Sequence, residues 1–272
     1  MLEFEIGLEP VIKLTRDLAN ASKTLSHKEA RYLVDLYYQM QDNRIRSYGQ
    51  VRALNETEEP HSVINWAAEQ SETLESQIKR ALDKYTDQEP AGAWAKSNVG
   101  IGPVLSAGLC ANIGDATRFA SCGDLWSYCG LVPGQKRKRG EKSNWSSSLK
   151  RLAWLIGQSF VKVSGNEAAL YGHLYREKKS YYVAKNENGD YAGRAAQCLI
   201  DKKYSKDTDA FKHYSAGKLP PAHIQAMAER YAAKIFLSHF WEMSLRIKGI
   251  TPPKPYAIAI LGHAHEIKPK EK

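Results

Sequence analysis

The sequence predicts an all-α protein, and three observations support this class. Apolar residues recur at helical spacing over long stretches, as in Leu33, Leu36 and Met40. Helix-start signals precede these stretches, for example the capping box Ser26–Glu29. No stretch of useful length alternates apolar and polar residues as a strand does. We therefore expect a long N-terminal helical hairpin, a helical domain that contains a helix-hairpin-helix, and C-terminal helices.

The N-terminal hairpin is predicted to occupy residues 1–90. Its first helix follows the capping box and extends to about Arg52, and its second runs from about Ser62 to Tyr85. One stripe of the second helix comprises Val63, Trp66, Gln70, Leu74, Ile78, Leu82 and Tyr85. Antiparallel, coiled-coil-like pairing would bury such a stripe. The pairing can close within one chain or between two, so a homodimer through these helices is an open alternative.

The middle domain is predicted to span residues 91–165. After a loop at Asp87–Gly92, Pro103 opens a helix, and Ser121–Asp124 caps a short helix. Ser146 or Ser147 begins a further helix. The apolar positions of this further helix are Leu149, Leu152, Ala153, Ile156, Phe160 and Val161. Trp126 and Trp154 fall at helical positions, and we expect both in the core. The alternative is that these aromatics, which bracket the basic run, stack exposed bases or pack against guanidinium groups.

The C-terminal region is predicted to span residues 166–272. An aromatic helix contains Tyr171 and Tyr175 and ends near residues 186–190. A long helix starts after Leu219, with Pro221 as an early helical residue. An extended tail with a short apolar run, Tyr256–Leu261, follows.

The segment from Asn98 to Asn112 has the pattern of the turn and second helix of a helix-hairpin-helix. Gly100 and Gly102 flank Ile101, and glycines bring bare backbone against a ligand. The free N–H groups of the helix after Pro103, together with its dipole, favour an anion such as a phosphate. The alternative is a glycine-rich turn that only joins two packed helices.

The charge distribution supports a nucleic-acid partner. The net charge is +9, and the run from Lys136 to Lys142 is densely basic. A clustered basic patch is typical of nucleic-acid binding, although such a run can also be a solvated loop. The nucleic-acid contacts that we predict are Gly100, Ile101, Gly102, Val104, Lys136, Arg137, Lys138, Arg139, Lys142, Trp145, Lys150 and Arg151. We expect DNA as the ligand, with RNA as an alternative.

Other features exclude several classes of protein. No apolar stretch is long enough to span a bilayer, and the first residues lack the basic start of a secretory signal, so we expect a cytoplasmic protein. The four cysteines form no C-x-x-C pair, which argues against a zinc ribbon and a disulfide framework. The pair His263 and His265 lacks a third ligand at suitable spacing. We expect neither a metal nor a cofactor.

A catalytic serine is the sharpest enzymatic candidate. Ser143, Ser146, Ser147 and Ser148 lie within or just after the basic run, where cations could activate a hydroxyl and stabilise charge on phosphorus. The alternative is that these serines cap the following helix. A two-metal nuclease is not supported, because Asp35, Asp115 and Asp124 lie in helical contexts.

Taken together, an ordered series of motifs resembles the C-terminal domain of the insertion-sequence 110/116/902 family of transposases. The series comprises Val99–Val104, Asn112–Asp115, Arg118–Phe119, Leu125–Tyr128, Gly130–Pro133 and Ser148–Leu152. It covers about sixty residues. The rest of the chain looks like small stand-alone members of the family.

The resemblance implies a helical DNA-binding domain linked to DNA rearrangement. It also implies, for full-length members, a resolvase-like nuclease domain with a carboxylate tetrad and a serine nucleophile. This chain departs on both counts, because its first 90 residues look helical and the stretch after Pro133 is shortened to Gly134 and Gln135. We therefore expect a transposase-like DNA-binding protein. The alternatives are an active serine-type recombinase and a helical partner-binding module without nucleic-acid function.

Overall fold

The computed structural model describes residues 13–56, 62–135, 139–253 and 266–270. These ranges contain helices and no strand, which confirms the predicted all-α class. The α-helices are α1 (Arg16–Ala21), α2 (His27–Asn55), α3 (Ser62–Gln88), α4 (Pro90–Lys96), α5 (Pro103–Ile113), α6 (Cys122–Tyr128), α7 (Ser147–Lys162), α8 (Leu170–Glu187), α9 (Ala192–Asp201), α10 (Asp209–Ser215) and α11 (Pro221–Ile247). None of these helices combines the length and the apolarity needed to cross a bilayer.

Several helices start where local sequence rules place them. Ser26 caps α2, and the Glu29 carboxylate accepts a hydrogen bond of 2.7 Å from the Ser26 amide. Ser121 and Asp124 form the same reciprocal box at α6. Each box satisfies amide groups that have no partner inside the helix. The capping box predicted at Ser26 and the cap predicted at Ser121 are both confirmed.

The chain divides into two compact units. The N-terminal unit comprises residues 1–96 and 102–114, and the C-terminal unit comprises residues 97–101 and 115–272. Helix α5 thus belongs to the N-terminal unit, while the residues just before Gly102 belong to the C-terminal unit. The three-part division expected from the sequence stays a prediction.

In the N-terminal unit, α2 and α3 pair as an antiparallel hairpin. The Arg44 guanidinium donates to the Glu75 carboxylate at 2.5 Å, and the Tyr48 hydroxyl donates to Glu72 at 2.6 Å. As the chain advances along α2, the partner residues on α3 have lower numbers, so the two helices run antiparallel. These polar contacts link the helices within one chain.

The apolar stripe of α3 is buried only in its second half. Ile78, Leu82 and Tyr85 are buried, whereas Val63 is 51% exposed and Trp66 is 36% exposed. Helices α4 and α5 pack in the same unit, and α5 contacts α2, α3 and α4. The core of this unit therefore surrounds α5 and the second half of α3.

The loop predicted at Asp87–Gly92 is wrong, because α4 already begins at Pro90. A Cβ atom at Gly92 would lie 2.9 Å from the Cys110 sulfur, and the Ser106 hydroxyl donates to the Gly92 carbonyl at 2.7 Å. Gly92 is thus required by the close approach of α4 and α5. In the sequence it looks like a turn signal, since a glycine disfavours helix.

In the C-terminal unit, α11 packs against α6, α7 and α8. Three fully buried rings form the centre: Phe160 stacks on Tyr171 at 4.9 Å between ring centroids, and Phe236 meets both edge-on. Such ring pairs contribute stability beyond the area that they bury. Helix α11 begins at Pro221, as predicted.

Helices α9 and α10 have no counterpart among the sequence predictions. They pack around a small cluster of buried residues, namely Ala195, Tyr214, Leu219 and Ile224. Both helices are short, so tertiary packing rather than a long periodic pattern stabilises them.

His239 on α11 is a buried, fully hydrogen-bonded histidine. Its Nε2 lies 2.8 Å from the Ile267 carbonyl, and its Nδ1 lies 2.8 Å from the Tyr171 hydroxyl. A carbonyl only accepts, so Nε2 carries the proton and Nδ1 accepts from Tyr171. The ring therefore holds the segment 266–270 to α11 in its neutral form.

We expect this neutral ring to make the protein sensitive to acid. Burial lowers the pKa of His239 below its usual value, and this outweighs the opposing effects of the Ile267 carbonyl and Glu266. The unfolded chain therefore takes up a proton at higher pH than the folded chain, and stability falls as the pH drops below about 6.5. The loss levels off below the folded pKa. Urea denaturation between pH 7.5 and 5 measures this effect, and His239→Gln should flatten it. An equal pH dependence in the variant would contradict the assignment.

The run Tyr256–Leu261, His263 and His265 lie outside the described residues.

Candidate nucleic-acid interface

The glycine turn predicted to bind phosphate has two different faces. Gly100 has a φ of +99°, and a Cβ atom there would lie 3.2 Å from Phe160 and 3.1 Å from Val163. The Ser159 hydroxyl donates to the Gly100 carbonyl. Gly100 is thus required by its backbone conformation and by packing, and it faces the interior of the C-terminal unit.

Gly102 is exposed and lies at the start of α5. Its φ of −93° is an ordinary extended value, and a Cβ atom there would meet nothing within 4 Å. As N-cap residue it has no side chain with which to cap the helix, and Pro103 follows it. The first-turn amides of Val104 and Leu105 have no carbonyl partner inside the helix. Since Gly102 is exposed, the start of α5 is open to a ligand.

The side chains of Ile101 and Val104 are buried, with 4% and 6% of their surfaces exposed. They hold the turn and the helix in place. Any contact of this segment with a ligand therefore comes from the backbone and not from these two side chains.

The basic run is only partly described. Lys136, Arg137 and Lys138 lie outside the described residues, whereas Arg139 and Lys142 are exposed. Lys150 and Arg151 are also exposed and lie in the first turns of α7. The described part of the run thus supplies basic groups at the surface of the C-terminal unit.

Trp145 is half-buried beside these cations. The Lys150 ammonium lies 4.8 Å from the centre of the Trp145 ring, within the range of a cation–π contact. The indole also lies 3.0 Å from the position that a Cβ atom at Gly130 would take. Gly130, with a φ of +64°, therefore gives Trp145 room to lie against the end of α6.

The four candidate serines lie at the start of α7. Ser146 is the N-cap, because its hydroxyl accepts from the Leu149 amide at 3.2 Å, and the Ser143 hydroxyl donates to the Trp145 carbonyl at 2.9 Å. Ser147 and Ser148 are exposed and make no side-chain hydrogen bond to a described residue. The capping alternative is thus confirmed for Ser146.

We expect Ser146→Ala to lower the free energy of unfolding by about 1 kcal/mol, the usual effect of losing an N-cap. Ser147→Ala is the matched control and should change stability by less than about 0.5 kcal/mol, because it removes no described contact. Thermal denaturation of the two variants checks this. Equal stability of both would contradict the capping role.

Trp154 on α7 is a surface residue that the sequence analysis assigned wrongly. It is 59% exposed and therefore does not belong to the core. A helical wheel gives the signal, because Trp154 lies well outside the stripe that joins Leu149, Ile156 and Phe160.

Two cations on α11, Arg230 and Lys234, were not among the contacts predicted from the sequence. Arg230 is exposed, and the Lys234 ammonium lies 4.1 Å from the centre of the Trp126 ring. The Trp126 N–H donates to the Lys234 carbonyl at 3.0 Å. Burial and the charge of Arg230 lower the pKa of Lys234.

The acidic residues in this region have structural roles. Asp115 caps the 3-10 turn Ala116–Arg118 and pairs with Lys248 at 2.7 Å. The Lys248 ammonium and the Thr117 groups hold the pKa of Asp115 well below its usual range. Within the described residues, no group of three His, Cys, Asp or Glu side chains could hold a metal ion.

These features define an all-helical protein with an open helix start on one unit and basic and aromatic side chains on the surface of the other. That composition is typical of proteins that contact nucleic acid.

Residues 94–171 match the Transposase IS116/IS110/IS902 family. This stretch is therefore similar to that family, and the resemblance seen in the sequence is confirmed. The match runs from the second half of α4 to the first residues of α8 and covers less than a third of the chain. It supports a transposase-like role. A comparison with curated proteins gives no significant match.

Proposed function

We propose that this protein is a transposase-like DNA-binding protein that grips the phosphate backbone and acts in DNA transposition or recombination. Phosphate contacts position a duplex without reading its bases. We therefore expect binding that is weakly specific for sequence and sensitive to the shape of the DNA.

The observation that carries the proposal is the open start of α5 at Gly102. The turn between α4 and α5, with exposed Gly102 at the helix start, supports the proposal that this segment is the second half of a helix-hairpin-helix. Unpartnered amides and the positive end of the helix dipole favour an anion there. A phosphate of the DNA backbone is the anion that a transposase-like protein meets.

A second, separate contact comes from the C-terminal unit. Arg139, Lys142, Lys150 and Arg151 are exposed, and Trp145 lies beside Lys150. Such cations neutralise phosphates and release counterions from the DNA. The described basic groups alone supply about four phosphate contacts.

The salt dependence of binding tests this electrostatic model. With about four contacts, the affinity for duplex DNA should fall roughly 100-fold between 50 and 200 mM salt. Fluorescence anisotropy with a labelled duplex measures it. Binding that barely changes over this range, or no binding at 50 mM, would refute the proposal.

A substitution at Gly102 tests the start of α5 directly. Gly102→Asp places a carboxylate where the phosphate is proposed to lie, and Gly102→Asn is the matched control of equal shape without charge. Both Asp and Asn are good N-caps, so neither should destabilise α5. We expect Gly102→Asp to weaken DNA binding at least tenfold relative to Gly102→Asn, roughly the effect of 1.4 kcal/mol of repulsion. Equal affinities would remove α5 from the interface.

The choice of nucleic acid is tested with a panel of single-stranded, duplex and four-way-junction DNA and duplex RNA. We expect the protein to bind DNA more tightly than RNA of the same length and charge. Changing Lys136–Arg139 to Glu should weaken binding to every member of the panel. Retained affinity in that variant would favour a partner-binding module instead.

A further inference from the structure

A shallow groove lies in the C-terminal unit between α7, α11 and the turn Gly130–Pro133. Its volume is about 230 Å³, which is below the roughly 300–1,000 Å³ of sites that enclose whole small molecules. Small residues on both helices, such as Ala153 and Ala233, make room for it. The groove therefore suits a single flat group presented by a larger ligand.

One wall of the groove carries the exposed indole of Trp154. Lys150 lies one helical turn before it on the same side of α7, and Arg230 lines the groove from α11. All three side chains are exposed. A flat aromatic surface with cations along the same groove is the arrangement that stacks a base while its phosphates are neutralised.

The groove also contains a buried carboxylate. Glu229 is 7% exposed, and its two oxygens accept hydrogen bonds from Gln158 at 2.7 Å and from Gln225 at 2.6 Å. Its charge disfavours a phosphate inside the groove. An uncharged group with N–H donors fits there, and phosphates fit the cations at the rim.

We propose that the Trp154 groove binds one unpaired base of the nucleic acid, stacked on the Trp154 indole, with the flanking phosphates held by Lys150 and Arg230. This inference rests on the proposed nucleic-acid binding and deepens it. It assigns to the protein a preference for DNA with an unstacked or extruded nucleotide, as occurs at bulges, gaps and junctions. In a regular duplex every base is stacked, and the indole has no partner.

The test compares two labelled DNAs that differ only in one unpaired nucleotide: a continuous duplex and the same duplex with a single-base bulge. Wild-type protein should bind the bulged DNA more tightly. Trp154→Ala should weaken binding to the bulged DNA about 5- to 100-fold, the range for loss of one stacked base, and change duplex binding less than about twofold. Trp154→Phe should restore most of the affinity. Trp66→Ala, which removes an exposed indole from α3, is the matched control and should have no effect.

A second readout reports stacking itself. A 2-aminopurine at the bulged position should lose fluorescence when wild-type protein binds, because the indole stacks on it, and should stay bright with Trp154→Ala at saturating protein. Lys150→Gln should weaken binding to both DNAs, whereas Arg230→Gln should weaken binding to the bulged DNA more than binding to the duplex. Each change should reduce the salt dependence of binding to the bulged DNA by about one phosphate contact.

The outcomes separate the two proposals. If wild-type protein binds DNA with the expected salt dependence but Trp154→Ala affects both DNAs equally or neither, the base-binding groove is refuted and the phosphate-binding function stands. If wild-type protein binds neither DNA at low salt, both are refuted.

Discussion

Replacing Phe160 by alanine is expected to lower the free energy of unfolding by about 3–5 kcal/mol, the usual range for a buried aromatic residue. Phe160 is fully buried, stacks on Tyr171 and meets Phe236 edge-on. Its ring also packs beside Gly100, so its loss removes a support of the glycine turn. Because a closely packed core relaxes only partly around the missing ring, a cavity remains. The cavity lowers the free energy of unfolding in addition to the loss of buried apolar surface.

Urea denaturation followed by circular dichroism measures this effect. Trp154→Ala is the control within the same helix, since it removes a larger but exposed aromatic side chain and should change stability by less than about 0.5 kcal/mol. A Phe160→Ala protein that is destabilised by less than 1 kcal/mol would show that the ring cluster is not the centre of the C-terminal unit.

Breaking the ion pair between α2 and α3 is expected to have the second largest effect. Glu75 is buried and accepts from Arg44 at 2.5 Å and from Gln41 at 3.3 Å. Arg44→Met leaves this carboxylate without its cation, which we expect to lower the free energy of unfolding by about 3 kcal/mol. This value is at the lower end of the range for buried pairs, because Arg44 remains partly exposed.

A double substitution separates the loss of the pair from its net contribution. Arg44→Met with Glu75→Leu replaces the pair by apolar side chains and should recover most of the lost stability. Denaturation of the two single variants and the double variant completes the cycle. Additive losses in the double variant would contradict this account.

The pair of Arg44 and Glu75 also makes the free energy of unfolding depend on pH, in a more acidic range than His239 does. Burial raises the pKa of Glu75, but hydrogen bonds from Arg44 and Tyr37 outweigh it, and the net pKa lies below the usual value. Its contribution is therefore complete above about pH 4.5 and is lost as the pH falls through the lowered pKa of the folded protein. Glu75→Leu should remove this part of the acid sensitivity.

Capping residues and prolines correctly predicted the helices whose start signals consist of a few adjacent residues. Ser26 with Glu29, Ser121 with Asp124, and Pro221 begin helices in the structure as in the prediction. These signals act within one turn, because they satisfy the amides of the turn that they precede. They need no information about tertiary contacts.

The errors arise where tertiary packing decides. Helix α4 contains Gly92, which disfavours helix locally, yet close packing against α5 requires it. The stripe of α3 predicts equal burial along its length, but only the part near α5 is covered. Trp154 is a different kind of error. Its place in a helix was predicted correctly, but its hydrophobic side chain was predicted to lie in the core and is exposed. The helical wheel places Trp154 outside the buried stripe of α7, so the periodicity of the helix, and not the hydrophobic character of the residue, predicts its exposure.

The candidate site was predictable in part for the same reason. Gly102 and the exposed cations Lys150 and Arg151 are adjacent to clear helix signals. Arg230 lies about eighty residues later in the sequence, and only the packing of α11 on α7 brings it to the groove.

The assignment of α5 to the N-terminal unit determines which fragments of the protein can fold by themselves. The family match from residue 94 to residue 171 includes pieces of both compact units, and the chain passes from one unit to the other at residues 96, 101 and 114. The stretch that is similar to the family therefore does not coincide with either compact unit. A fragment limited to it would lack α2 and α3, against which α5 packs, and α11, against which α7 packs. We expect that fragment to be unfolded by circular dichroism and sensitive to proteases, so a test of the proposed DNA binding requires the longer chain.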